Sequence, residues 1–421
     1  MLVSRRDWLV GAGALAAGSR LPGTVAAAPE PLPPALAVLA PMTGGVEPIS
    51  LDERRARIDR AQMLMARERL DALIVGPGTS LLYFTGARWR ISERFFGMVL
   101  PRSGAPAWIA PAFEQDRARE QIQIGSDLRT WEEHESPYAL IASALADHKA
   151  ATGRIGVEET LPFVFADGVG QAAPAARMAS ATPVTAGCRM IKDAHEIALM
   201  RRACEITMRA HRAVFQSLKE GMTRSEAARL CVQAHERLGV KGGALVLFGA
   251  DAAFPHGTQN PQPLRSGDVV LIDGGGKLHD YASDITRTAV FGAKPTDRQR
   301  RIWDVVRRAQ QAAFEAARPG AECQAVDAAA RKVIAAGGFG EGYARFTHRV
   351  GHGIGMNGHE WTYLVRGNTT PLRPGMCFSD EPGIYIPGEI GVRHEDIITI
   401  TPDGAANLTR WSGTPEDPAV L

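Results

Sequence analysis

Five side chains able to ligate a hard metal ion occur in one fixed order along this chain: Asp273, Asp284, His352, Glu381 and Glu395. Four carboxylates and one imidazole, each inside its own short signature, form the donor set that a pair of divalent cations sharing a bridging hydroxide requires. That set points to hydrolytic chemistry. Two further histidines, His348 and His359, flank His352 in a stretch threaded by Gly351, Gly353 and Gly355, a density that packing alone does not account for. The cluster lacks the helical His-Glu-x-x-His spacing of zinc proteases, which disfavours that mechanism.

Sheet joints must bring these ligands together. Ser266-Gly267-Asp268 reads as a turn into an apolar strand that ends on Asp273, and Gly274-Gly275-Gly276 is expected to reverse the chain into a second strand. In that second strand Asp284, Thr286 and Thr288 share one face by period two, which sets Asp284 opposite Asp273 with a threonine hydroxyl beside it. Pro382 pushes Glu381 out of helical geometry, and an apolar run follows Glu395, so both glutamates are expected at sheet positions. The glycines do not form a phosphate loop. His279 stands where a dinucleotide fingerprint needs its last glycine, and Leu271 where a P-loop needs its first.

Taken in order, Val269 to Thr288, Thr347 to Glu360, Asp380 to Tyr385 and Gly391 to Asp396 resemble the M24 (pita-bread) metallopeptidase superfamily of Xaa-Pro aminopeptidases, prolidases and creatinase. The resemblance runs from about Leu51 to Thr401 and includes Tyr83-Phe84-Thr85-Gly86, similar to the creatinase-type N-terminal domain. It implies an α/β fold, with a creatinase-like N-terminal α/β domain ahead of a pita-bread α+β catalytic domain built on a curved antiparallel sheet. It implies that Asp273 holds one metal, His352 and Glu381 the other, and that Asp284 and Glu395 bridge them. Glu381 would carry the proton of the nucleophile. His256, in Phe254-Pro255-His256-Gly257, matches a substrate-binding histidine, His348 and His359 match donors to the scissile carbonyl and its oxyanion, and Arg393 would orient a ligand carboxylate or the far end of the substrate.

The expected activity is removal of the N-terminal residue from Xaa-Pro peptides, with prolidase action on Xaa-Pro dipeptides as the alternative. The expected cofactors are two divalent ions, manganese first, with cobalt, iron or zinc as other choices, and a homodimer is the expected assembly. Three departures from the usual peptidase pattern, His394, Asp380 and Asn357-Gly358, motivate a further alternative, a non-peptide C–N hydrolase or lyase on the same scaffold. The intact ligand set argues against creatinase itself and against an inactive binding module.

The rest of the chain supplies the frame. Residues 1–27 carry Arg5-Arg6 before a short apolar run and look like a twin-arginine export signal, which predicts a periplasmic location. Residues 28–50 read as a linker, 51–185 as the N-terminal domain and 186–414 as the catalytic domain, with the boundary near Pro183 to Arg189. Asp193 with Glu196 caps a helix whose inner face is Ile197, Met200, Cys204 and Thr207 or Met208, while His195 and His211 on it are helix-surface or packed residues. A second long helix from about Thr296 to Ala317 is expected to cover the sheet, with Arg300-Arg301 and Arg307-Arg308 on its wet face. Removing residues 1–27 takes Lys plus Arg from 48 to 45 and Asp plus Glu from 46 to 45, leaving no net charge. Without a basic stripe, nucleic acid is not an expected partner. Five cysteines without Cys-x-x-Cys spacing argue against a structural zinc site and leave one disulfide open.

Overall fold

Period-two alternation decides the first sheet. In β1 (Ala72–Val75), Ala72 and Ile74 join one apolar cluster while Leu73 and Val75 join another, and all four residues are buried. The same split recurs in β2 (Gly97–Pro101), where Val99 faces one way and Met98 and Leu100 the other. In β3 (Ala107–Pro111), Ala107 and Ile109 oppose Trp108 and Ala110. With β4 (Asp127–Trp131), β5 (Arg154–Val157) and β6 (Arg177–Ser180) these strands form a mixed six-stranded sheet in the order β4-β3-β2-β1-β5-β6. One face is covered through Ile141 and Phe165 of the helices Pro137–Asp147 and Phe163–Ala172, the other through Ile58 and Met65 of Leu51–Glu68. Tyr83-Phe84-Thr85 lies in the helix Thr79–Thr85, which stops at Gly86 with φ +81°. The computed structural model describes residues 31–419, so the expected export signal lies outside the described residues.

The helix Thr182–Met190 runs through the expected domain boundary, and its Val184 and Cys188 join the same core as Ile58 and Met65. That core continues through Met200, Cys204 and Met208 of the helix Ala194–Phe215 to Tyr281, Ile285 and Ile397. The helix begins as expected, with a capping box between Asp193 and Glu196.

The remaining strands are antiparallel. β7 (Lys241–Phe248), β8 (Val269–Leu278), β9 (Tyr281–Ala282) and β10 (Ile285–Val290) form one sheet with β8 at its centre. β11 (Gly351–Gly353), β12 (Glu360–Leu364), β13 (Cys377–Asp380), β16 (Asp396–Thr401) and β17 (Gly404–Asn407) form a second, and β14 (Gly383–Ile386) with β15 (Ile390–Arg393) a separate hairpin. The expected reversal at Gly274 to Gly276 does not occur. β8 runs straight through these glycines, and the chain turns at His279 and Asp280, which take φ of 46° and 76°. The glycines serve close approach instead: a Cβ on Gly275 would sit 1.9 Å from the Ser283 carbonyl oxygen and one on Gly274 would sit 2.4 Å from that of Gly243.

The helix Asp297–Ala316 covers the sheets with Ile302, Val306, Ala309 and Ala313 buried against Leu271, Phe378 and Ile398. Arg307 departs from the expected wet face. Its guanidinium lies 3.6 Å over the Trp411 ring and is half-buried. All five cysteines are free and buried. Among the described residues no helix is long and apolar enough to cross a membrane.

Candidate metal centre

The five expected ligands converge. Ligand atoms of Asp273, Asp284 and Glu395 lie within 4.8 Å of one another, as do those of His352, Glu381 and Glu395, so Glu395 belongs to both groups. Asp273 sits in β8 with Thr286 of β10 as its direct cross-strand partner. Asp284 occupies the joint before β10, Glu381 the joint after β13 and Glu395 the joint before β16, where a single antiparallel bridge ties it to Thr286. The glutamates are therefore one residue outside the strands expected to hold them. Strand ends aim several side chains at one point, which residues inside a regular ladder, alternating between faces, do less readily.

Hydrogen bonds fix each ligand's direction. The Thr286 hydroxyl lies 2.5 Å from Asp273 Oδ1 and 2.7 Å from Glu395 Oε2, yet it has only one hydrogen to give. Ser379 donates to Glu381 Oε1 at 3.1 Å and accepts from the His352 amide at 3.0 Å. His352 Nδ1 is 3.1 Å from the Gly353 carbonyl, which must accept, so Nε2 is the free electron pair and it lies 3.3 Å from Glu381 Oε1.

The electrostatics fit a cation. Burial raises Asp273, but the Arg393 charge and hydrogen bonds from Thr286, Glu395 and Arg393 outweigh it and hold its pKa low. Burial, then the neighbouring carboxylates, push Asp284 and Glu395 well above the carboxylate range. Burial is also the largest cause lifting Glu381 to about 7. Four crowded acids beside one arginine cannot all ionise without further positive charge. Four oxygen ligands and one imidazole are the donors a hard divalent ion takes.

The surrounding residues divide into two groups. Arg349 Nη2 donates to His359 Nδ1 at 3.2 Å, which leaves Nε2 as the protonated nitrogen, and the His359 ring stacks on His352 at 3.7 Å. His359 thus retains a free N–H. His348 does not, because Nδ1 is 2.8 Å from the Arg349 carbonyl and Nε2 is 2.8 Å from the Tyr385 hydroxyl. A carbonyl only accepts, so Nδ1 carries the hydrogen, and the neutral ring has no N–H left for the carbonyl donor role expected of it. His256 lies on an exposed loop and lines a cavity of about 340 Å³ with Arg224, Leu245 and Thr258. Arg393 is committed to a ligand carboxylate, with Nη2 2.5 Å from Asp273 Oδ2, Nη1 2.9 Å from the Tyr385 hydroxyl and Nε 3.2 Å from Thr286 Oγ1. Tyr385, Arg349 and Ser379 carried no role in the sequence reading. Tyr385 follows Glu381 by four residues, but nothing in that spacing reveals the strand pair that returns it to Arg393.

None of the three departures belongs to a ligand group. His394 is fully buried, with its ring 4.4 Å from Trp303 and Nδ1 3.3 Å from Ser412 Oγ. Asp380 pairs across strands with Asp396, and burial and the Asp396 charge push its pKa well above the carboxylate range against the opposing charge of Arg307. Asn357 Oδ1 accepts from the Thr79 hydroxyl at 2.7 Å, joining the loop before His359 to the N-terminal region.

Comparison with known proteins agrees with this geometry. Residues 198–402 match metallopeptidase family M24 and residues 57–191 match the creatinase/prolidase N-terminal domain. The chain is 37% identical to the probable dipeptidase PepE of Mycobacterium tuberculosis over 84% of this chain and 93% of that one. It is 31% identical to the Xaa-Pro dipeptidase of Pyrococcus horikoshii over 86% and 98% of the two chains. The crystal structure of dipeptidase PepE from Mycobacterium ulcerans superposes with a TM-score of 0.79 at 34% identity, covering 86% of this chain and 97% of that one. An X-Pro aminopeptidase from Thermotoga maritima is more distant, with a TM-score of 0.70 at 26% identity over 84% and 98%. These names favour the dipeptidase alternative over the aminopeptidase first expected. The chain belongs to metallopeptidase family M24, with a creatinase-like N-terminal domain ahead of a pita-bread catalytic domain.

Proposed function

We propose that this metallopeptidase is a dinuclear Xaa-Pro dipeptidase, which hydrolyses the imide bond of a dipeptide with proline as its second residue. The convergence of the five ligands from two strands and three joints carries the metal reading. The dipeptidase names of the relatives support the substrate class. Asp273, Asp284 and Glu395 would hold one ion, and His352, Glu381 and Glu395 with Asp284 the other, manganese being the first choice for so oxygen-rich a set. When bound, the ions supply Lewis-acid polarisation of the scissile carbonyl and lower the pKa of water.

The protein's own groups do the rest. Glu381 takes the proton of the attacking water on its carboxylate and returns it to the proline nitrogen as the bond breaks. His359 Nε2–H donates to the carbonyl oxygen as negative charge develops there, while Arg349 holds the ring in that tautomer. Arg393 keeps Asp273 ionised and aimed. His256, which lines a cavity with Arg224, Leu245 and Thr258, would contact the substrate. Proline lacks an amide hydrogen and fixes its own φ, so a site that grips both ends of a short substrate handles it better than one that binds extended backbone.

The test is to load the enzyme with manganese and offer Xaa-Pro dipeptides, Xaa-Pro-Yaa tripeptides and Xaa-Ala controls. Cleavage confined to Xaa-Pro dipeptides is the expected result. Release of the first residue from the tripeptides would instead assign aminopeptidase action. No cleavage of any peptide by metal-loaded protein would end the peptidase reading. We also propose a homodimer, to be checked by sedimentation, and export in the folded state through Arg5-Arg6 to the periplasm. Replacing both arginines with lysine should retain the protein in the cytoplasm, and unchanged export would contradict the signal.

A further inference from the structure

Behind the ligand cluster lies a second polar assembly that the proposed chemistry does not use. Arg287 on β10 is fully buried, pointing to the side of the strand opposite its neighbours Thr286 and Thr288. Its Nη1 donates to the Thr286 carbonyl at 3.0 Å and to the Glu395 carbonyl at 2.7 Å. These carbonyls belong to the two residues of the isolated bridge, whose own bond runs from the Glu395 amide to the Thr286 carbonyl at 3.1 Å. One guanidinium therefore staples the joint where the two sheets meet.

The other nitrogen reaches the C-terminal part of the chain. Arg287 Nη2 donates to Asp396 Oδ1 and to the Arg410 carbonyl, both at 2.6 Å. The Thr409 hydroxyl also donates to Asp396 Oδ1, and Gln310 Nε2 donates to Asp396 Oδ2 at 3.0 Å. Trp411 stacks on Arg307, and Ser412 meets His394. Residues 409–412 thus line the Arg287 pocket, with Thr409 and Ser412 touching Asp396 and His394 on either side of Glu395 and the Arg410 carbonyl holding Arg287 itself.

We infer that Arg287, braced by residues 409–412 through Asp396, is a positioning residue that presets Glu395 for metal binding. The inference rests on the metal reading proposed above. An ordinary buried ion pair could be built from Arg287 and Asp396 alone. The geometry does more, since the same guanidinium grips the backbone of Glu395, a carboxylate that belongs to two of the ligand groups. Lysine cannot reproduce it, because a single ammonium cannot span two carbonyls in one direction and a carboxylate and a third carbonyl in the other. Loosening the brace lets the Glu395 carboxylate sample directions that do not bind the ion.

The test is manganese titration by calorimetry on the full chain, with thermal melting of the metal-free protein alongside. Partners that orient metal ligands are worth roughly 10- to 100-fold in affinity. Arg287→Met should weaken manganese binding by that amount, Arg287→Lys should recover part of it, and Thr409→Val should weaken binding a few fold with little change in metal-free melting. If Arg287→Met does not fold, Thr409→Val decides. Variants that melt earlier yet bind manganese as the wild type does would overturn the inference and leave a purely structural brace. A wild type that binds no manganese would sink the metal reading itself, a different result from equal binding by all four proteins.

Discussion

The six-stranded sheet and the metal-bearing joints use buried strands for opposite purposes. In β1, β2 and β3 every residue is buried, and the alternation of apolar side chains sends each to one of two cores. Across β10, β13 and the joints around them the buried side chains include Thr286, Arg287, Thr288, Ser379, Asp380, Arg393, Glu395 and Asp396. The first region lowers the free energy of the fold by taking apolar area from water. The second holds like charges close together and is stable only because arginines, hydroxyls and the surrounding core over-determine it. Substitutions in the two regions should therefore fail in different ways.

The largest effect belongs to a ligand. Asp284→Asn should abolish binding of both ions and cut turnover by about a thousandfold or more, the several kcal/mol that metal activation supplies. The same change should raise the melting temperature of the metal-free protein, because it removes one carboxylate from a crowded, buried group. Metal analysis and melting with and without chelator check both halves. Lower metal-free stability would show that Asp284 serves the fold as well as the site.

Next comes His359. Its free Nε2–H predicts that His359→Ala lowers kcat by about a hundredfold, the cost of losing one donor to the developing oxyanion. His348→Ala should cost less in kcat, since both His348 nitrogens already serve the Arg349 carbonyl and Tyr385. Steady-state kinetics on the accepted dipeptide separate the two, and equal losses would restore His348 to a direct role.

The apolar sheet gives the contrasting result. Ile74→Ala removes a fully buried side chain of β1 and should cost about 2–5 kcal/mol of stability, measured by denaturant unfolding, while manganese affinity stays unchanged. A loss of metal affinity would mean that strain crosses the sheet from the core of Ile74 into the opposite one, shared by Met65, Cys204 and Ile397, and through it into the joint.

The contrast also explains which features could be read from the residues. The capping box at Asp193 depends on local spacing, and the structure forms it as that spacing implies, while the ligand residues stand in short motifs that the fold then brings together. What depended on tertiary partners did not follow. Gly274 to Gly276 look like a turn until the close approach of Ser283 and Gly243 shows why a strand needs them. Arg307 has the neighbours of a solvated helix face and becomes half-buried only because Trp411, more than a hundred residues later in sequence, lies over it. His348 differs from His359 only through Tyr385 and the Arg349 carbonyl, and no motif encodes which ring nitrogen is taken.

The smallest predicted effect lies far from the metals, where the helix starts of the two regions meet. His195 Nδ1 is 2.6 Å from Glu53 Oε1, with both side chains 30% exposed. The Glu53 hydrogen bond is the main cause raising the His195 pKa above its ordinary 6.5. Burial works to raise Glu53, but hydrogen bonds from Ser50 and His195 outweigh it and bring its pKa from 4.5 down to about 2. A raised histidine contributes stability that is complete below its unfolded value and is lost as pH rises through the folded one. A lowered glutamate contributes stability that is complete above its unfolded value and is lost as pH falls through about 2. Both contributions are complete together only between the ordinary values of 4.5 and 6.5. His195→Gln should therefore melt below the wild type by an amount equivalent to about 0.2–1 kcal/mol near pH 5.5, as expected of a pair still screened by solvent, and the gap should close near pH 8.5. A gap that widens toward alkaline pH would show that the neutral ring's hydrogen bond to the Glu47 carbonyl, not its charge, holds the two regions together there.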